Sequence, residues 1–138
     1  MREGAQLKTL RPFFLAHEPQ LAQVEIMKYG KARRKPGVMN SLESKYALHL
    51  EAKRIAGEIF AYAFESITLK LAEGCRYTPD FLVINREMEC EFHEVKGFWV
   101  DDARVKIKVA ASKFPFRFVG VQYKKKEWQF EEFAGGSE

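Results

Sequence analysis

The chain has 138 residues, 46% hydrophobic and 30% charged, with a formal net charge of +4 and a pI near 9.1. That length suits one domain with a buried core. No apolar run approaches the roughly 20 residues of a membrane-spanning helix. The only cysteines are Cys75 and Cys90, and no clustered Cys/His spacing marks a zinc site, so free thiols and a reducing cytoplasm are expected.

Residues 1–38 read as an N-terminal arm. The apolar run at residues 11–16 is too short for a secretory leader and is followed by His17, Glu18 and Pro19, so no leader is expected. Residues 20–27 can form a short helix after Pro19, packing on the domain or on a second subunit. Residues 28–37 hold five cations, Lys28, Lys31, Arg33, Arg34 and Lys35, and no anion. Such a segment suits phosphate backbones, and equally a solubilising linker. An anionic membrane surface lacks an adjacent amphipathic anchor.

Residues 40–59 are expected to form a helix, with Asn40 as its cap and Gly57 near its end. Leu42, Tyr46, Leu50 and residues 56–59 supply a buried stripe, with Lys45, Glu51, Lys53 and Arg54 largely outward. Asn40 and Glu43 have the spacing of a capping box. Residues 64–71 alternate as a first strand, with Ile67, Leu69 and Leu71 on one face, and Glu73-Gly74 turns the chain.

Residues 77–97 read as the central hairpin. Its arms are residues 78–84 and 89–96, with the turn at residues 85–88. If Asp80 lies opposite Glu94, then Leu82 faces Phe92 and Ile84 faces Cys90. One face is then apolar, with Asp80, Glu94 and Lys96 gathered at one end, whereas a one-residue slip scatters the three charges. Two close carboxylates repel unless one takes a proton or a cation lies between them. Mg²⁺ suits such a pair because it takes oxygen ligands and keeps waters, and Mn²⁺ is expected to substitute. Lys96 projects from the same face as Glu94. Paired carboxylates, a metal and a lysine suit phosphodiester hydrolysis. Taken singly, a Glu-x-Lys in a strand is most often a solvated face.

After Gly97, Phe98 and Trp99 are placed at the edge of the site. Asp101-Asp102 start a helix running to about Lys113, with Val105, Val109 and Ser112 on one face. Arg104 and Lys108 share another face, suited to a DNA backbone or simply to solvent. Residues 116–123 and 128–133 are expected as strands, joined by the turn Lys124-Lys125-Lys126. His93, on the face opposite Glu94, is expected to be a packed or surface histidine, as are His17 and His49. Residues 134–138 are a tail.

Pro79-Asp80, with Glu94-Val95-Lys96 beginning fourteen residues after Asp80, resembles the signature of the restriction-endonuclease-like, PD-(D/E)xK, nucleases. The resemblance covers roughly residues 39–133. It implies an α/β domain with a central mixed sheet flanked by helices. It also implies a metal held by Asp80, Glu94, Val95 and Glu43, with Lys96 assisting the nucleophilic water. Glu43 takes the place of the family's acidic residue on the preceding helix, for which Glu51 and Glu58 are weaker candidates. Gln122 takes the place of a late polar residue. The layout, with Phe116-Arg117-Phe118-Val119 before Trp128, is most similar to archaeal-type and phage Holliday-junction resolvases. That likeness implies an Mg²⁺-dependent homodimer cutting four-way DNA junctions in the cytoplasm, the host's if the protein is phage-encoded. Another phage endonuclease, acting on flaps, nicks or duplex, and a non-catalytic DNA-binding module are the alternatives.

Overall fold

The structure, a computed structural model, describes residues 37–134. The expected helix at residues 20–27, the cations Lys28, Lys31, Arg33, Arg34 and Lys35, and the last four residues of the tail lie outside the described residues.

Helix α1 (Ser41–Ile55) starts on a complete capping box: Glu43 N donates to the Asn40 side chain, and Asn40 N donates to the Glu43 carboxylate. Lys53 and Arg54 occupy its last turn, where cations complement the negative end of the helix dipole. The chain then reverses at Gly57, whose φ of 75° is open to glycine without strain. The helix is therefore shorter than the pattern over residues 40–59 suggested, and Ile59 opens strand β1 (Ile59–Phe64). Glu65, at φ 46°, ends that strand. Of the strand expected over residues 64–71, only Phe64 belongs to β1, most of which lies ahead of it, and the rest of the paired residues form β2 (Leu69–Ala72). β2 pairs with β3 (Cys75–Tyr77) in a separate small hairpin around Glu73 and Gly74.

The central hairpin is β4 (Phe81–Asn85) and β5 (Cys90–Val95). Its register pairs Leu82 with Phe92 and Ile84 with Cys90, as the apolar stripe required. Helix α2 (Asp101–Lys113) crosses over to β6 (Arg117–Lys124), which lies parallel to β5. β7 (Glu127–Phe133) returns antiparallel beside β6. The sheet order is β1-β4-β5-β6-β7, so β5 is central and paired on both sides. Beyond the end of β5, Lys96 N still donates to Val121 O at 2.9 Å.

Both sheet faces are covered. On one, Tyr46 and Leu50 of α1 pack on Phe81, Val83, Val95, Val119 and Val121. On the other, Ile107, Ala110 and Ala111 of α2, with Leu69, Leu71 and Tyr77 of the small hairpin, pack on Leu82, Phe92 and Phe118. Phe81, Phe92 and Phe118 are nearly inaccessible to solvent, and burial of each such ring contributes about 1.5–3 kcal/mol. The buried stripe of α2 differs from the expected one: Val105 is 57% exposed. The small side chains at 110 and 111 let the helix approach the sheet closely, and Ile107 lies one turn earlier on that face. Trp99 is half-buried, with its ring edge-on to Phe133 and close to Gly120, the β6 partner of Glu94. Both cysteines are free thiols. Among the described residues no helix is long and apolar enough to cross a membrane.

Candidate active site

Asp80 stands immediately before β4, and its position is set by the neighbouring main chain. Glu65 N donates to Asp80 O at 2.8 Å, and Val95 N donates to Asp80 Oδ2 at 2.8 Å. Phe81 pairs with His93, so one further step of that register sets Asp80 opposite Glu94. Both carboxylates are 3% exposed. Lys96 Nζ lies 2.8 Å from Glu94 Oε1, and Tyr77 Oη donates to Glu94 Oε2 at 3.0 Å. The three charged groups named from the hairpin register therefore converge at one end of the sheet, joined there by the phenol of the small hairpin.

Burial pushes the Asp80 carboxyl well above the usual carboxylate range, and Glu94 pushes it further, with a smaller contribution from Glu43. Lys96 and the Val95 amide pull the other way without prevailing. Burial disfavours the Lys96 ammonium, but Glu94 and Asp80 outweigh it and the group is held above its ordinary value. Burial, followed by Glu94, raises the Tyr77 phenol well above its usual range.

Glu43 caps the helix and also lies within electrostatic reach of the site. Its Oε2 accepts from Asn40 N at 2.9 Å as the capping box requires. Its side chain is also buried, at 1% exposure, and its charge acts on both Asp80 and Lys96. A surface capping residue would not be felt there. The side chain of Val95 belongs to the core beneath α1, which leaves only its main chain for the site.

Among the described residues, no group of three or more His, Cys, Asp and Glu is arranged to hold a metal ion. Mg²⁺ needs fewer protein ligands, binding through one or two carboxylates and keeping several waters. Two buried carboxylates opposed by a single ammonium leave a deficit of positive charge, which the raised Asp80 registers. The donor set of Asp80 and Glu94 fits a hard divalent cation of that kind.

The other site expectations separate. Gln122 Nε2 donates to Gly97 O at 3.3 Å, just beyond Lys96. Arg104 is committed elsewhere: its guanidinium forms two hydrogen bonds with Glu131 and lies against Trp99 and Phe133. Lys108 is exposed on α2.

Sequence reasoning missed two features. One is the bond from Tyr77 to Glu94, since a tyrosine beside a strand reads as packing. The other is a buried polar chain on the α1 face. Tyr46 Oη lies 2.6 Å from His93 Nδ1, and His93 Nε2 lies 3.0 Å from Glu91 Oε2. Arg117 then donates to Glu91 Oε1 at 3.1 Å. This chain ties the helix carrying Glu43 to the strand carrying Glu94, with His93 as a packed residue. Comparison of the chain with protein-family models, with curated proteins and with solved structures finds no match.

Proposed function

We propose that the chain is a metal-dependent endodeoxyribonuclease of restriction-endonuclease-like fold, acting on four-way DNA junctions as a homodimer. One observation carries the reading: two buried carboxylates from adjacent strands, Asp80 and Glu94, share a sheet end with a lysine 2.8 Å from the second of them. Burying like charges is costly for folding, and a site that merely bound phosphates would be better without them. The mixed sheet with a helix layer on each face agrees with the proposed fold.

Asp80 and Glu94 would hold the divalent cation, with Glu43 acting behind them. When bound, Mg²⁺ supplies a water acidified toward hydroxide and a counter-charge for the phosphate. Lys96, clamped to Glu94, offers its remaining N–H groups to the attacking water or to a non-bridging phosphate oxygen. Charge that gathers on the phosphate is then met by a fixed donor. The Val95 amide keeps Asp80 from swinging away, so the geometry is set before the substrate arrives.

The test is incubation of the purified protein with a labelled four-way junction, a flap and a linear duplex, in Mg²⁺ and in EDTA. Paired symmetric nicks in the junction alone, lost in EDTA, are expected. Equal cutting of all three substrates would retain the metal site and move the activity to a general DNA endonuclease. Binding without cutting in any divalent metal would overturn the enzymatic reading.

A further inference from the structure

The nuclease reading leaves unexplained how a polyanion approaches a site built on three carboxyl groups. The β6–β7 turn offers an answer. β5 and β6 are parallel, with Glu94 beside Gly120 and Val95 beside Val121. Continuing along β6, the face that carries Glu94 and Lys96 leads through Gln122 to Lys124. At about 3.3 Å per residue, Lys124 lies about 13 Å beyond Gly120, or about four base-pair steps of duplex. Lys124, Lys125 and Lys126 are all exposed, and none forms an ion pair among the described residues. Glu127, opposite Lys124 in the ladder, leaves it free. On the opposite face of the sheet, Lys45 Nζ of α1 sits 3.4 Å from the centre of the Tyr123 ring, adding a fourth cation at the same end of the sheet from its other side.

The backbone of this turn is informative. Lys125 and Lys126 have φ values of 52° and 64°. Two successive left-handed residues between antiparallel strands make the tight hairpin turn for which Asn-Gly is the favoured sequence. Residues other than glycine, asparagine and aspartate are strained there, because the Cβ crowds the following carbonyl oxygen. Two lysines in the strained positions give up local stability to place charge, a pattern typical of functional sites.

We infer that Lys124, Lys125 and Lys126, together with Lys45, form a docking surface for the phosphate backbone of DNA entering the Asp80–Glu94 site. This inference rests on the nuclease reading. The surface offsets the site's negative charge and fixes the duplex through phosphates, without reading bases.

The test uses the full chain with Lys125→Asn and Lys126→Gly combined, which restores the favoured turn while removing two charges. Binding to a labelled junction is measured in Ca²⁺ across a salt series, alongside thermal melting. The expected variant melts no lower than the parent and binds at least ten-fold more weakly at 100 mM salt. Its log K against log salt slope is shallower by about 2. Lys125→Arg with Lys126→Arg keeps the parent's slope. A parent that binds and cuts DNA while the Asn-Gly variant shows the same affinity and slope overturns the docking surface and leaves the nuclease reading intact. A parent that binds through this turn but never cuts removes the enzymatic reading and keeps the surface. A parent that binds no DNA at any salt overturns both.

Discussion

Tyr77 Oη donates to Glu94 Oε2 at 3.0 Å, linking the small β2–β3 hairpin to the central strand. Lys96 holds the other oxygen, so the Glu94 carboxylate is fixed from two sides. Hydrogen bonds to charged groups contribute about 1.5–3 kcal/mol. Tyr77→Phe keeps the packing and removes only this bond. Urea unfolding should show a loss in that range, and titration with Mn²⁺ should show weaker metal binding. Unchanged metal affinity would mean that Lys96 alone orients Glu94.

Asp80 carries the opposite balance. A carboxyl raised on folding costs stability above its unfolded value of 3.8, and that cost is relieved as pH falls through the raised folded value. Asp80→Asn keeps an acceptor for the Val95 amide and removes the charge. In EDTA at neutral pH the variant should be more stable than the parent. Mg²⁺ should raise the melting temperature of the parent and leave that of Asp80→Asn unchanged. Cleavage should be abolished in both Asp80→Asn and Glu94→Gln, with DNA binding retained. Cleavage by both variants would refute the site assignment.

Glu91 contributes stability that is lost in acid. The hydrogen bond from His93, against the opposing effect of burial, holds its carboxyl down at about 2. A carboxyl depressed on folding stabilises the protein above its unfolded value of 4.5, and the contribution is lost as pH falls through about 2. Denaturation measured from pH 6 to pH 2 should therefore show a decline across that window. Glu91→Gln should start lower at pH 6 and decline less. Parallel curves for the two proteins would show that ionisation of Glu91 carries none of the pH dependence.

Gly120 marks how closely the tryptophan after the motif is seated. A Cβ there would lie 2.6 Å from Trp99 Cζ2 and 2.9 Å from Phe133 Cε2. Gly120→Ala must displace one ring, and overpacking of this kind costs about 1–3 kcal/mol. Near-ultraviolet circular dichroism and tryptophan emission should both change. An unperturbed tryptophan signal with full stability would show that the Trp99 ring moves aside freely.

The site was legible where local alternation and register decide position. Asp80, Glu94 and Lys96 lie on one hairpin, and its apolar stripe favours the register that gathers them. The fold was legible to the same extent: the two helices and the hairpin follow from period and turn residues. Contacts between distant segments were not. Tyr46 and His93 are 47 residues apart, and nothing in either local pattern announces the other. The small hairpin was hidden because residues 64–71 alternate well enough to pass as one strand, while the left-handed Glu65 that divides them is a residue type with no marked preference for that conformation. Arg104 illustrates the converse: helical spacing put it on a cationic face, and Glu131 from β7 had already claimed it.

The parallel pairing of β5 with β6 also bears on the order in which the protein is made. Glu94 and Lys96 leave the ribosome with β5, but the strand that closes the far side of β5 follows only after α2. Until Val121 is available to accept the hydrogen bond from Lys96 N, the end of the hairpin that bears the charges has one unpaired flank. A nascent chain in which every candidate catalytic residue has already been made thus lacks the framework that aligns them. On the nuclease proposal, a site able to cut DNA would assemble only with the last strands of the domain, after synthesis has passed the residues that would do the cutting.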